Sequence, residues 1–396
     1  MNGLSINAQQ TPTGFEIKFR GQKYVVNYPD EIWQKYPQEA KDVLFDNLVY
    51  SETIHLPLHF RRNNIQYNTS SPYLQTYFFQ NMVMDLPSCA DVDGTFTSEL
   101  IKEYMNLKVY FKDQEIKFPT YRHESRPDSA VVSLSFGKDS LLTWAVCDEL
   151  GLNPQAAYIV EPALTYEERH KDKLAVKFQK EFGVELQKIE HTVGQLRDGH
   201  RLGVGKTEVG WGLQTTQYAV MILPIANKFE SKYILFGNEQ SCGEYYMDRQ
   251  GFVCYPAYDQ CHTWTKQVDS ITRQLSLGGV RTMSVIEPLN DIAVVYLLFK
   301  RYPEVAKYHR SCFVETEAGR DHRWCMDCSV CCKMYLLIKA SGFDPDSVGL
   351  SRNMLSDEMR SYFSLFGGVD VNTYALTGRG RDEQLFAFYL AWKNGD

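Results

Sequence analysis

One stretch of this chain constrains its fold and chemistry more than any other. Residues 130–140 read Ala-Val-Val-Ser-Leu-Ser-Phe-Gly-Lys-Asp-Ser, an apolar, β-branched run that ends in a short polar turn. A helical pattern follows at once and ends at Gly151. A buried strand, a turn and a helix N-terminus form an anion site, because the first N–H groups of a helix lack internal partners. Lys138, Ser135 and Ser140 add one charge and two hydroxyls, so a phosphate or pyrophosphate is the expected occupant.

This turn is not the P-loop of the common NTPases. Val132 lies five residues before Gly137, where that motif needs glycine, and Asp139 follows the lysine. The stretch resembles the PP-loop of the ATP pyrophosphatases, Ser-Gly-Gly-x-Asp-Ser, except that Phe136 replaces the first glycine. A phenylalanine tolerates positive φ poorly, so we expect a slightly reshaped turn. The alternative is an ordinary strand-to-helix turn capped by a serine or an aspartate.

The PP-loop resemblance implies a set of nucleotide-binding residues in which Lys138 and Asp139 are also catalytic. Asp139 places an ion or orients the loop, or it is only a carboxylate at a helix start. The implied nucleotide-binding residues are Ser133, Leu134, Ser135, Phe136, Gly137, Lys138, Asp139, Ser140 and Val160.

A second glycine-rich segment, residues 199–207, looks like a P-loop only at first glance. Its spacing from Gly199 to Gly205 is one residue too long, and no apolar strand precedes it. We interpret it as a glycine-rich loop near the substrate.

A cysteine cluster near the end of the same region predicts a metal site. Cys325, Cys328 and Cys331 form a Cys-x2-Cys-x2-Cys run, and Cys312 lies thirteen residues upstream. Four thiolates suit a structural zinc ion, and an iron–sulfur centre or redox thiols are the alternatives. Disulfides are disfavoured, since we expect a cytoplasmic chain without a signal peptide. Cys332 is a spare thiol.

A PP-loop followed by a four-cysteine site resembles the 7-cyano-7-deazaguanine synthase family over residues 129–340. Intermediate segments are similar too: residues 166–170 resemble its Tyr-Gly-Gln-Arg-His segment, and residues 233–239 resemble a strand that ends in Gly-x-Asn. The resemblance implies an adenine nucleotide alpha hydrolase-like fold, a parallel sheet with helices on both faces. It also implies ATP, Mg²⁺ and Zn²⁺ as cofactors, with Cys312, Cys325, Cys328 and Cys331 as the metal ligands. The substrate-binding residues would be Arg169, His170, Gly237, Asn238 and Glu239.

The implied reaction is ATP-dependent activation of the carboxylate of 7-carboxy-7-deazaguanine. Pyrophosphate leaves, an amine attacks the mixed anhydride, and AMP leaves. Ammonia as the amine gives an amide and then a nitrile, whereas a protein amine gives a conjugate, as expected of an extended, defence-associated member. One alternative is a PP-loop enzyme that thiolates tRNA through paired cysteines. Another is a non-catalytic nucleotide-binding scaffold, which only the departure at Phe136 supports.

Composition and patterning divide the chain into three predicted parts. Residues 1–128 form a β-rich or α+β extension for a protein partner, residues 129–340 form the PP-loop domain, and residues 341–396 are helical. The net charge of −7 argues against nucleic acid as a partner, and the apolar runs are too short for a membrane span. The resemblance implies ATP and the deazaguanine as small-molecule partners, and a homodimer is left open.

Overall fold

The computed structural model describes residues 3–162, 166–311, 317–367 and 373–395. Within this part of the chain, ten strands form one sheet and two more form a small ribbon. The strands in chain order are β1 Leu4–Thr11, β2 Gly14–Phe19, β3 Gln22–Asn27, β4 Asn64–Ser71, β5 Lys108–Ile116, β6 Arg126–Ser133, β7 Pro154–Ile159, β8 Leu186–His191, β9 Ser231–Leu235, β10 Tyr246–Met247, β11 Val253–Cys254 and β12 Arg281–Met283.

Helices connect the strands and cover the sheet. In chain order they are α1 Asp30–Lys35, α2 Gln38–Ser51, α3 Leu56–His59, α4 Gln75–Val92, α5 Thr97–Met105, α6 Lys138–Glu149, α7 Glu167–Phe182, α8 Gln214–Lys228, α9 His262–Leu275, α10 Asp291–Arg301, α11 Pro303–Ala306, α12 Ser329–Ala340 and α13 Gly378–Lys393. Within the described ranges, no helix is both long and apolar enough to cross a bilayer.

The sheet has the order β12-β9-β6-β7-β8-β3-β2-β1-β4-β5. Its first five strands are mutually parallel, as expected when each strand returns through a crossover helix. β3 then pairs antiparallel with β8 and joins the N-terminal strands to the same sheet. The last two pairs, β1–β4 and β4–β5, are parallel again.

Two hydrophobic cores lie on opposite faces of this sheet. Val131 of β6 belongs to the core beneath α2, α8 and α9, whereas its neighbours Ala130 and Val132 belong to the core beneath α6, α10 and α12. This alternation follows from the two-residue period of a strand. The predicted class is therefore confirmed: an α/β protein with helices on both faces of a mostly parallel sheet and a helical C-terminus. This architecture is consistent with an adenine nucleotide alpha hydrolase-like fold.

The N-terminal segment contributes to the same sheet and to the first core. β6 begins at Arg126, so the expected domain boundary after residue 128 falls inside a strand. Residues 3–128 contain five strands and five helices among their described elements, which corresponds to the α+β alternative. The division of the chain into domains stays a prediction.

Two local predictions were wrong. The short apolar run at residues 55–60 predicts a strand, but these residues contain the buried helix α3, whose first turn accommodates Pro57. The pattern at residues 356–366, with Ser356 as N-cap and Gly367 as the stop, predicts one α-helix, but these residues form two short 3₁₀ helices, Asp357–Tyr362 and Ser364–Phe366. Phe363 is extended between them and interrupts the helical pattern.

Candidate functional site

The turn between β6 and α6 is held by its own serines. The Ser140 hydroxyl accepts a hydrogen bond from the Ser135 N–H at 3.2 Å and donates one to the Gly137 carbonyl at 3.1 Å. Gly137 is the extended residue before the first turn of α6, where the first N–H groups of a helix have no carbonyl partner within the helix. The serine contacts hold this turn in place.

Phe136 adopts a left-handed backbone conformation, with φ near 61°. The conformation is unfavourable for a residue with a Cβ atom, and burial compensates for it. Its ring is fully buried and meets Phe178 edge-on, with centroids 5.8 Å apart. The Arg310 N–H donates to the Phe136 carbonyl at 2.7 Å. The chain thus keeps at Phe136 the positive φ that a glycine adopts readily.

Lys138 lies at the centre of a buried cluster of charges. Its Nζ is 2.5 Å from Asp139 Oδ1, 2.5 Å from Asp291 Oδ1 and 3.6 Å from Glu239 Oε1. Lys333 forms an ion pair with the other oxygen of Asp291. We call these five residues the Lys138 cluster. The cluster joins the turn between β6 and α6 to the C-terminal end of β9 and to two helices, α10 and α12.

The cluster fixes the protonation of its members. Burial alone would lower the pKa of Lys138, but attraction to Asp139, Asp291 and Glu239 outweighs it and raises that pKa well above the usual lysine range. Burial opposes ionisation of Asp291 too, but Lys138 and Lys333 together hold its pKa below the ordinary aspartate value. Burial and then repulsion from Asp291 raise the pKa of Glu239. Lys138 therefore stays cationic, and Asp291 stays anionic.

Two members of the cluster, Asp291 and Lys333, were missed by the sequence analysis. Asp291 is the first residue of α10, where Asn290 accepts a hydrogen bond from the Ala293 N–H at 3.0 Å. Lys333 lies in α12, just after the cysteine run. The Asn-Asp pair before an apolar run was a visible helix-start signal, but nothing local linked it to the turn after β6.

The predicted residues after β9 lie against this cluster. A Cβ atom on Gly237 would come within 2.6 Å of Asp139 Cβ, so only glycine allows this close approach. Glu239 belongs to the cluster itself. The Asn238 side-chain amide instead donates to Thr265 Oγ1 at 3.0 Å. The main-chain carbonyl of Asn238 accepts from the Ser284 hydroxyl at 2.7 Å. The contacts of Asn238 thus secure the loop from within.

The other predicted binding residues make their described contacts elsewhere. His170 is buried, and its Nε2 is 2.7 Å from the Gly319 carbonyl, so it contacts the segment that precedes the cysteine run. Arg169 is exposed. Val160 is buried just after β7, and its N–H donates to the Ile189 carbonyl. The Leu134 N–H donates to the Ala157 carbonyl. Ser133, half-buried, is the last residue of β6.

Three cysteines converge at the N-terminus of α12. The sulfur of Cys325 is 3.4 Å from that of Cys328 and 3.5 Å from that of Cys331, and the Cys331 N–H points to the Cys328 sulfur. These three thiolates could bind a metal ion together. Cys312, the expected fourth ligand, lies outside the described residues. Cys332 is buried beside the set.

The residues just before Cys312 contact the turn between β6 and α6. The Lys138 N–H donates to Ser311 Oγ at 3.4 Å, and His309 Nε2 is 3.0 Å from the same oxygen. Ser311, the residue before Cys312, therefore lies against the start of α6.

A second set of ligand atoms lies within the Lys138 cluster. Oxygens of Asp139, Glu239 and Asp291 lie within 4.8 Å of one another, and carboxylate oxygens are the ligands that Mg²⁺ prefers. The glycine-rich loop, by contrast, is bound to the N-terminal segment, because Thr207 Oγ1 donates to Asp93 at 2.6 Å.

Comparison with known proteins adds little to this geometry. No protein-family model matches the chain, and no curated protein matches it. Among solved structures, the chain is similar to the U34-tRNA thiolase NcsA from Methanococcus maripaludis with its 4Fe-4S cluster. The identity is 16%, the match covers 64% of this chain and 76% of that chain, and the TM-score is 0.31. This likeness is too low to support an inference about function.

Proposed function

We propose that the protein is an ATP-dependent, AMP- and pyrophosphate-forming enzyme of the PP-loop type. The observation that carries the proposal is Lys138, a buried cation held by three carboxylates at the start of α6. A cation and free helix N–H groups at one point suit the departing pyrophosphate, whose charge grows as the bond to the α-phosphorus breaks. Mg²⁺ held by Asp139, Glu239 and Asp291 would neutralise further phosphate charge.

We propose 7-carboxy-7-deazaguanine as the molecule that is activated. A carboxylate oxygen of the substrate forms a bond to the α-phosphorus while the bond to the β-phosphate breaks. An amine then attacks the acyl carbon, and AMP leaves with the electron pair of its bond. With ammonia the product is the amide and, after a second activation, the nitrile. With a protein amine the product is a conjugate, which fits a role in anti-phage defence. The order of the two motifs in the sequence supports this substrate.

The cysteine site fits a single zinc ion. Tetrahedral zinc with Zn–S bonds of about 2.3 Å puts its sulfurs about 3.8 Å apart, close to the separations among Cys325, Cys328 and Cys331. A 4Fe–4S cluster places each thiolate on a different iron and so requires wider spacing. Zinc with Cys312 as the fourth ligand would stabilise the chain between β12 and α12.

The second candidate is a PP-loop enzyme that thiolates tRNA. The convergence of three thiolates, with Cys332 beside them, favours it, since sulfur transfer requires reactive cysteines or an iron–sulfur cluster. The net charge of −7 counts against a tRNA substrate. Stoichiometric zinc without iron or acid-labile sulfide would remove this candidate.

The deciding experiment measures where the phosphates of ATP go. The full-length protein is incubated with ATP, Mg²⁺ and 7-carboxy-7-deazaguanine, with and without ammonia, and products are identified by mass spectrometry. We expect AMP and pyrophosphate together with a modified deazaguanine. Lys138→Ala should lower the rate at least about 100-fold, as loss of one preorganised charge commonly does, while the exposed Lys266→Ala control should match the wild type. Production of ADP, or wild-type turnover by Lys138→Ala, would contradict the proposal.

A further inference from the structure

A second buried polar cluster lies at the same end of the sheet as the phosphate-binding turn. Glu161 follows β7 by two residues, His191 ends β8, and Arg197 follows shortly after β8. Tyr218 belongs to α8, and Glu52 follows α2 in the N-terminal segment. We call these five residues the Glu52–Arg197 cluster. It joins the N-terminal segment to the C-terminal ends of two parallel strands, where open α/β sheets bind their ligands.

Part of this cluster is fully hydrogen-bonded. Glu161 Oε2 accepts from the Tyr218 hydroxyl at 2.6 Å and from the Gln214 amide at 2.7 Å, and Arg197 Nη2 lies 3.5 Å away. A Cβ atom at Gly194 would come within 2.8 Å of Arg197 Nη2 and 2.9 Å of Glu161 Oε1, so glycine leaves room for both side chains. The position of the guanidinium is therefore fixed by its surroundings.

Several polar atoms of the cluster are buried without hydrogen-bond partners among the described residues. Both carboxylate oxygens of Glu52 lack a partner, as do Arg197 Nε and Nη1 and His191 Nε2. Glu52 and Arg197 are completely inaccessible, and His191 is 4% exposed. Buried polar groups in folded proteins are nearly always paired, so three such side chains in one place require an explanation. A ligand that supplies the missing partners is the simplest one.

Aromatic groups surround the guanidinium and extend towards solvent. The Arg197 Cζ lies 5.6 Å from the centre of the Trp211 ring and 5.9 Å from that of Tyr218. Trp211, Gln214 and Tyr218 are only partly buried. The cluster therefore combines a buried polar floor with partly accessible flat groups, which is the composition of a site for a planar heterocycle.

We propose that the Glu52–Arg197 cluster recognises the heterocyclic base of the substrate, an inference that rests on the proposed function. The Glu52 carboxylate would accept from the ring N–H and the exocyclic amine of a 2-amino-pyrimidinone. Arg197 would donate to the ring carbonyl, and Trp211 or Tyr218 would stack on the ring. The N-terminal segment thus completes the substrate pocket through Glu52.

The sheet brings this cluster within reach of the phosphate-binding turn. β6, β7 and β8 are adjacent parallel strands, and neighbouring strands lie about 4.8 Å apart. The ends of β7 and β8 therefore stand roughly 5 and 10 Å from the end of β6. A bicyclic base bound over β7 and β8 would direct a carboxylate on its five-membered ring towards Lys138 and the α-phosphate.

The test is calorimetric titration of the full-length protein with 7-carboxy-7-deazaguanine in the presence of α,β-methylene-ATP, which cannot be cleaved at the required bond. The matched ligand is the same acid without its exocyclic amine. We expect the wild type to prefer the amino compound at least tenfold. Glu52→Gln, which keeps the size and shape of the side chain, should abolish this preference, and Arg197→Met should weaken the binding of both ligands. Glu103→Gln, an exposed change in the same N-terminal segment, should behave as the wild type.

The outcomes separate this inference from the proposed function. The base site would be supported by tight binding with a preference for the amino compound that Glu52→Gln removes. If the assay with ATP then showed no release of pyrophosphate, the proposed reaction alone would be refuted. Pyrophosphate release with an unchanged preference in Glu52→Gln would refute the base site alone. No binding of either ligand to the wild type would also refute it. Circular dichroism establishes that each variant is folded, and Glu52→Gln decides the question where Arg197→Met does not fold.

Discussion

The Lys138 cluster and the Glu52–Arg197 cluster lie at the same end of one sheet but handle buried charge in opposite ways. In the first, Lys138 and Lys333 share the carboxylate of Asp291, so opposite charges neutralise each other. In the second, Glu52 and most of the Arg197 guanidinium have no hydrogen-bond partner among the described residues. The difference matches the two proposed ligands. A triphosphate arrives with its own counter-cation and can exchange partners with an existing ion network, whereas a neutral base needs hydrogen-bonding groups that are not yet occupied.

The comparison predicts its largest effect on stability at Asp291. Asp291→Asn removes the one carboxylate of the cluster that contacts both the buried Lys138 and the half-buried Lys333, and it leaves Asp139 and Glu239 as the cluster's remaining carboxylates near Lys138. Breaking a buried ion pair from one side typically costs about 3–5 kcal/mol, and we expect a loss of that size in the free energy of unfolding. Urea denaturation at neutral pH measures it.

Glu149→Gln provides the matched control for Asp291→Asn. Glu149 pairs with Arg301 on the surface, where solvent screens the interaction. Glu149→Gln should therefore lower the free energy of unfolding much less than Asp291→Asn does. Equal losses for the two variants would show that the Lys138 cluster is no more tightly coupled than an exposed ion pair.

The two clusters also differ in how far the sequence predicts them. The turn at residues 135–140 is local, so strand, turn and helix signals fall side by side and mark Lys138 and Asp139. Asp291 and Lys333 reach the cluster only through the packing of α10 and α12, and no pattern near either residue indicates that contact. The Cys325–Cys331 run is equally local and was recognised from its spacing.

The Glu52–Arg197 cluster could not be predicted, because its members come from distant segments. Glu52 follows a helix in the N-terminal segment, which is joined to the sheet where β3 pairs with β8, and the charge of Arg197 acts on Glu52. Sequence periodicity predicts strands, but it does not predict which strands become neighbours. Periodicity has a second limit, which residues 55–60 show: a short apolar run fits a strand and a buried helix equally well.

The unpaired state of Glu52 predicts a pH-dependent stability. Burial raises the pKa of Glu52 from 4.5 to about 7; Arg197 opposes the shift and Glu161 adds to it. The folded state then binds the proton more tightly than the unfolded state, so the free energy of unfolding falls as pH rises from about 4.5 to about 7. The full shift corresponds to roughly 3 kcal/mol. Glu52→Gln should remove this pH dependence. Its free energy of unfolding, compared with that of the wild type, should therefore rise by up to that amount between pH 5 and pH 8.

Chemical denaturation of both proteins at pH 5 and pH 8 measures the effect. Glu103 is exposed, so the free energy of unfolding of Glu103→Gln should differ from that of the wild type by the same amount at both pH values. A Glu52→Gln difference that does not change with pH would mean that the carboxylate is already satisfied in the folded protein. The contrast between the two clusters would then disappear.

The smallest predicted effect concerns the backbone of the turn between β6 and α6, which carries Lys138 and Asp139. Phe136→Ala and Phe136→Gly both remove the buried ring, at a cost of about 3–5 kcal/mol. Only the glycine variant also relieves the strain of a left-handed residue, so it should be about 1 kcal/mol more stable than the alanine variant. This order reverses the usual preference for alanine, and denaturation midpoints resolve it. A more stable alanine variant would mean that residue 136 does not hold positive φ in solution, and that the turn reaches Lys138 by another backbone route.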